Sequence, residues 1–310
     1  MCDIWKANQN KQELTAEDLI PHLKSLKKLH VRQFVFSGGE ALLHNNLWTL
    51  CELIKNQNPE ASFTLLSTGL LLKKNARAIA MHCKETILSL DGSPQIHNQI
   101  RNVPQAYEKL AEGVSALREL NPDYKITARC VLQKQNFNDL EKIIRTAREL
   151  GLNQISFLPA DLSSTAFNRE RPWDESHQAE VALSRDDSLQ LENLIERVIA
   201  THGVDFESGF IAESPDKLRR CAYYYQAVHG LRPFPKVRCN APWVSAVIES
   251  SGDVQPCFFH EKIGNIREQN LEQILNSDRA RQFRKNLDID TDPICRKCVC
   301  SLNLRPTDPI

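Results

Sequence analysis

Ten cysteines occur in the 310 residues, and five of them lie between Cys239 and Cys300. Cys239, Gly252 and Cys257 follow the pattern C-x12-G-x4-C. Cys295-Arg296-Lys297-Cys298 is a C-x-x-C knuckle, and Cys300 follows it. Clustered cysteines in a chain without a secretory signal read as metal ligands before they read as disulfides. The expected ligand set is Cys239, Cys257, Cys295 and Cys298, with Cys300 close enough to replace Cys298. Four thiolates from a hairpin and a knuckle close a tetrahedral or cluster site. Soft sulfur suits zinc and iron alike, so the spacing leaves both metals open. If the metal is structural zinc, the chain belongs to another class, a non-catalytic metal-binding module.

A second group of residues points to an organic ligand. Phe36-Ser37-Gly38-Gly39-Glu40 follows an apolar run that reads as a strand. Ligands of parallel β/α folds collect at the carboxyl ends of strands. Gly38 and Gly39 free the backbone for close approach, and the Glu40 carboxylate suits a ligand ammonium. In Ile87-Leu88-Ser89-Leu90-Asp91 the alternation of a strand puts Ser89 and Asp91 on one face, as ribose hydroxyls require. Asp91-Gly92 is also a common turn. Arg129 shares a face with Thr127 and Val131. Packed between parallel strands it needs a carboxylate, from a ligand or another side chain. Cys51, Cys83, Cys130 and Cys221 read as core thiols, and His44 and His260 as satisfied structural histidines.

These motifs, in this order, resemble the radical S-adenosylmethionine (SAM) superfamily. Met1-Cys2-Asp3-Ile4-Trp5-Lys6 is similar to the tail of its C-x-x-x-C-x-x-C motif, with Cys2 as the third thiolate of a SAM-binding 4Fe–4S cluster. Gly38, Gly39 and Glu40 are similar to the Gly-Gly-Glu motif that binds the SAM amino group, and Ser67-Thr68-Gly69 to a strand-end turn. Ser89-Leu90-Asp91-Gly92 with His97 and Arg101 is similar to the following strand segment, and Arg129 occupies a place suited to the SAM carboxylate. The resemblance implies that Gly38, Gly39, Glu40, Ser67, Ser89, Asp91 and Arg129 bind SAM. Two of the family's three cluster cysteines and its first strand are missing before Cys2, and the expectation is an N-terminal truncation. The C-terminal cysteines resemble the Twitch/SPASM extension, here in its shorter form with one auxiliary 4Fe–4S cluster. The implied activity is reductive cleavage of SAM to a 5′-deoxyadenosyl radical. That radical takes hydrogen from a peptide, tetrapyrrole or small-metabolite substrate. A flavodoxin- or ferredoxin-like donor supplies the electron.

The elements that must position these residues are legible as periodicity. Short apolar runs at 31–36, 62–66, 86–90, 124–132 and 154–158 read as strands. Helical spacing at 15–29, 45–56, 71–82, 104–120 and 136–150 alternates with them, which means parallel β/α units. The segment 161–184 reads as a long loop, followed by helices at 187–202 and 215–230. A hairpin pairing 244–249 with 254–258 and a helix at 271–286 complete the chain. The expected fold is α/β, a partial (β/α)6 barrel without its first strand plus a small cysteine-rich α+β domain. Its expected parts are a barrel at 1–160, a helical connector at 161–236 and an auxiliary domain at 237–310. With 39 basic and 39 acidic residues the formal net charge is zero, which excludes a strongly basic nucleic-acid binder. No apolar run reaches the roughly 18 residues of a membrane span, and the first twenty residues are too polar for a signal peptide. A cytoplasmic protein without nucleic-acid or membrane partners is expected.

Overall fold

The five expected strands form one sheet in the order β1-β2-β3-β4-β5. They are β1 (Gln33–Phe36), β2 (Ser62–Ser67), β3 (Glu85–Ser89), β4 (Lys125–Leu132) and β5 (Gln154–Pro159). Neighbours from β2 to β5 run parallel. The computed structural model describes residue 8, residues 10–166, residue 169 and residues 171–305. It divides into two compact units. The first holds Thr64–Leu162 and Trp173–Pro235; the second holds the described residues of 2–63, Ser163–Pro172 and 236–310.

In the first unit, burial alternates with period two along β3 and β5, while β2 and β4 each carry three consecutive buried residues. Thr86, Leu88, Ile126, Ala128, Cys130, Leu132, Ile155 and Phe157 are buried under the helices. The helix Leu140–Glu149 shows why it packs there: Leu140, Ile143, Ile144 and Ala147 recur at helical spacing and are buried. The opposite face carries Ile87, Ser89, Arg129 and Ser156, none of which is buried. A parallel bridge between Ile155 and Ile211 extends the sheet past β5. The Tyr225 hydroxyl donates to Leu132 O at 2.6 Å and accepts from Ala160 N at 2.9 Å. It thereby fixes the helix Pro215–Val228 to the ends of β4 and β5.

Three helical expectations change. The stretch 15–29 is broken into Ala16–Leu19, a 3-10 turn at Ile20–His22 and Leu23–Lys28. Pro21 lacks the N–H a continuous helix needs there. The loop expected at 161–184 contains a helix, Glu175–Val181, whose N-cap Asp174 accepts from His177 N. The helix expected at 271–286 is two, Leu271–Leu275 and Asp278–Asn286, because Ser277 caps the second by accepting from Ala280 N.

In the second unit, β6 (Val247–Ile248), β7 (Asp253–Gln255) and β8 (Gly264–Asn265) form a small antiparallel sheet. Gly252 turns the chain between β6 and β7 with φ +84°, and a Cβ there would meet Asn265 Oδ1 at 2.8 Å. The sheet is pinned to the helix Ala16–Leu19 and the 3-10 turn after it. Arg267 binds both Asp18 carboxylate oxygens, at 2.8 and 3.1 Å, and His22 Nε2 meets Ile266 O at 2.9 Å. Arg267 holds the Asp18 carboxyl down at about 2. A depressed carboxyl contributes stability that is present above its unfolded value near 4 and lost as pH falls through 2. Thermal unfolding at pH 5 and pH 2.5 should show a larger loss in the wild type than in Arg267→Gln. Equal losses would mean that the pair does not contribute.

Candidate metal centre and ligand face

Cys239, Cys257, Cys295, Cys298 and Cys300 lie near enough to act on one another's charge. Among the described residues, the one group of three or more metal-ligating atoms within 4.8 Å of one another is His260, Asp292 and Cys295. The described thiols are all free. Cys295 lies in a 3-10 turn (Cys295–Lys297), and Cys298 N donates back to Cys295 O at 3.1 Å. Asp292 builds that turn: its Oδ1 accepts from Ile294 N at 2.9 Å and Cys295 N at 2.8 Å. Asn240, beside Cys239, holds the chain that leaves the knuckle. Its backbone N–H donates to Leu302 O at 2.7 Å, its side chain donates to Leu304 O, and it accepts from Leu304 N. This explains how residues some sixty positions apart in sequence come together.

Electrostatics and hydrogen bonding describe the sulfur environment. Burial pushes the Cys257 thiol up, and nearby Cys239 and Cys300 add to it. Burial also raises Cys298 to about 12, with Cys300, Cys239 and Cys257 adding their charge. Cys295 is raised by burial first, then by Asp292, Cys257 and Cys298. Backbone N–H groups of Phe259 and His260 act on the Cys257 sulfur, and that of Cys300 acts on Cys298. His260 Nε2 lies 3.4 Å from Cys295 Sγ. Sulfurs with N–H groups beside them suit a metal centre that takes them as thiolates. The donor set therefore fits iron or zinc. Cys239, Cys257 and Cys298 are half-buried, Cys295 is buried and Cys300 is exposed. Cys2 lies outside the described residues.

Gly38, Gly39 and Glu40, also in the second unit, form the turn after β1. Gly38 has φ +131° with nothing within 4 Å of a Cβ added there, an open cradle that L side chains rarely adopt. Glu40 is half-buried, and its Oε1 caps the following 3-10 turn by accepting from Leu42 N at 3.2 Å.

The first unit corrects three expectations. Arg129 is not buried: it stands exposed on the open sheet face, because the alternation of β4 buries Ala128 and Cys130 instead. In register it lies between Ser89 and Ser156, so a hydroxyl, a guanidinium and a hydroxyl stand side by side. Ser67 pairs with Leu88 and is buried on the helix-covered face, where its hydroxyl accepts from Gly69 N at 3.1 Å. It orders the turn. Asp91 is buried where Ser89 is half-buried, although the ladder continues past Ser89 with Leu90 N donating to Arg129 O at 3.2 Å. Asp91 is 1% exposed, and its Oδ2 pairs with Arg101 at 2.6 Å. The Asp91 N–H donates to His97 Nδ1, and Asn136 donates to Asp91 O at 2.8 Å. Burial lowers His97 to about 4, so it is neutral. Ser156 beside Arg129 and His260 beside Cys295 are neighbours that sequence reasoning did not bring together. Register, which the sequence does not carry, reveals the first, and folding of the knuckle onto the hairpin reveals the second.

Comparison with known proteins agrees with this arrangement. The model of the radical SAM superfamily matches residues 1–147, and that of the SPASM iron–sulfur cluster-binding domain matches 239–299. Pre-heme d1 synthase of Dinoroseobacter shibae is 24% identical over 165 residues, 53% of this chain and 40% of that protein. The subtilosin biosynthesis protein AlbA of Bacillus subtilis is 23% identical over 250 residues, 78% of this chain and 48% of that one. The chain thus spans less than half the length of either relative. Among solved structures, anSMEcpe with bound AdoMet superposes with TM-score 0.63 at 18% identity, over 92% of this chain and 78% of that one. Streptococcus suis SuiB bound to precursor peptide SuiA gives TM-score 0.63 at 14% identity, over 97% and 68%. Among the described residues no helix is long and apolar enough to cross a membrane. By the two matched models, residues 1–147 belong to the radical SAM superfamily and residues 239–299 form a SPASM iron–sulfur cluster-binding domain.

Proposed function

We propose that the protein is a radical SAM enzyme whose C-terminal cysteines hold an auxiliary 4Fe–4S cluster. This reading is supported by the match of residues 239–299 to the SPASM iron–sulfur cluster-binding model, with Cys239, Cys257, Cys295 and Cys298 close enough to act on one another's charge. When bound, the SAM-binding cluster supplies one electron to SAM, whose reductive cleavage gives the 5′-deoxyadenosyl radical that takes hydrogen from the substrate. Glu40 holds the SAM ammonium, and the glycines before it let the ligand approach the backbone. Ser89 offers a hydroxyl to the ribose, and Arg129 offers its guanidinium to a carboxylate. Asp91 acts by fixing the end of β3 through Arg101. Ser67 acts by fixing the turn after β2. The substrate class is a peptide or a small organic metabolite, and the electron comes from a flavodoxin- or ferredoxin-like protein. The peptide option is supported by AlbA and by the SuiA-bound neighbour.

The test is anaerobic reconstitution with iron and sulfide in a Cys2→Ala background, so that only the C-terminal cysteines hold iron. About four irons per chain are expected. The count should collapse in Cys257→Ala and Cys295→Ala and persist in Cys300→Ala. Stoichiometric zinc in anaerobically isolated protein, with no cluster formed on reconstitution, would replace this reading by a structural metal module.

A further inference from the structure

His260 touches both halves of the cysteine shell. It follows Cys257 by three residues, and its backbone N–H donates to Cys257 O at 3.4 Å. Its ring reaches across to Cys295, 35 positions away in sequence, with Nε2 3.4 Å from Sγ. The ring is held in that direction. Phe283 packs edge-on against it, with centroids 4.9 Å apart and planes at 65°. The residue is 8% exposed. Asp292 Oδ1 stands 4.0 Å from Nε2, beyond hydrogen-bonding distance, and already accepts from Ile294 N and Cys295 N. With Cys295 as a metal-bound thiolate, which cannot donate, Nε2–H is the donor and the sulfur the acceptor. No other cysteine of the shell has a side-chain N–H donor of this kind among the hydrogen bonds of the described residues.

We infer that His260 is a positioning residue that donates Nε2–H to the Cys295 thiolate and thereby raises the reduction potential of the auxiliary iron–sulfur cluster. The inference rests on the cluster reading above. An N–H···S bond draws electron density from the thiolate and so favours the reduced cluster, which carries one more negative charge. Burial strengthens the effect, because little water competes for the sulfur. The same bond joins the hairpin that carries Cys257 to the knuckle that carries Cys295, so it also sets the orientation of one ligand relative to the other. The electron that reduces the cluster comes from a low-potential donor, dithionite in the experiment, and nothing else is consumed.

The experiment uses the full chain in a Cys2→Ala background, reconstituted anaerobically, with His260, His260→Leu and His260→Gln compared. Iron is counted first, and then the cluster is titrated potentiometrically with detection by electron paramagnetic resonance. The inference expects about four irons in all three proteins. It expects His260→Leu to show a roughly tenfold lower ratio of reduced to oxidised cluster at the wild-type midpoint, which is about 59 mV for one electron. His260→Gln retains an N–H donor and should recover part of the shift. Identical midpoints in all three, with iron intact, would overturn the inference. Loss of iron in both His260 variants would overturn it too, because His260 would then be a ligand, grouped with Asp292 and Cys295, whose donor atoms lie within 4.8 Å of one another. Absence of a cluster in the wild type would instead defeat the reading on which the inference rests.

Discussion

Glu40→Ala should weaken SAM binding about ten- to hundredfold. A hydrogen bond to a charged group contributes about 1.5–3 kcal/mol, and each 1.4 kcal/mol is roughly a factor of ten in affinity. The variant also removes the acceptor that caps the turn at Leu42 N, so turn and ligand effects must be separated. Glu40→Gln does this: it keeps a side-chain oxygen for Leu42 N–H and removes the negative charge. If Glu40 meets the SAM ammonium, Gln should lose most of the same affinity as Ala. If its role is only to cap the turn, Gln should bind as the wild type does. Equilibrium dialysis with reconstituted protein, expressed with any in-frame codons that precede Met1, reads the difference.

Arg101→Met should destabilise the protein by about 3–5 kcal/mol, the usual effect of removing one partner from a buried ion pair. Asp91 is 1% exposed, and burial pushes its carboxyl up while Arg101 opposes the rise. Without Arg101 the carboxyl must take a proton or the end of β3 must open. The deficit should therefore shrink as pH falls and the carboxyl is protonated. Adding Asp91→Asn to Arg101→Met should recover part of the loss at pH 7, since no charge is then stranded. Chemical denaturation of the four proteins of this cycle measures the coupling. Additive effects would contradict a direct pair.

Much of this architecture is legible in the residues. Each of the five parallel strands is a short apolar run between helices of clear 3.6 period, and its observed limits lie within two residues of those expected. The SPASM domain announces itself through the spacing of Cys239, Gly252, Cys257, Cys295 and Cys298, which falls within the matched residues 239–299. What escapes is whatever depends on register, strand ends and tertiary neighbours. Ser89, Arg129 and Ser156 form a row only once β3, β4 and β5 are aligned. Asp91 lies two residues past the end of its strand, where Arg101, a residue of the next helix, decides its direction. Ser67 reads as a ligand contact but faces the helices, because its position in β2 matches that of Leu88. Caps at Asp174 and Ser277 and the proline at 21 set helix limits that apolar spacing alone misses.

Reductive cleavage of SAM, the proposed activity, leaves 5′-deoxyadenosine as its product. The most direct measurement is 5′-deoxyadenosine, quantified by mass spectrometry. The protein is expressed with any in-frame codons before Met1, reconstituted anaerobically with iron and sulfide, and incubated with SAM and dithionite. The account predicts 5′-deoxyadenosine and methionine in equal amounts, dependent on dithionite and lost in Glu40→Ala. Reconstituted protein that holds its full complement of iron, binds SAM and yet forms no 5′-deoxyadenosine under these conditions would contradict it.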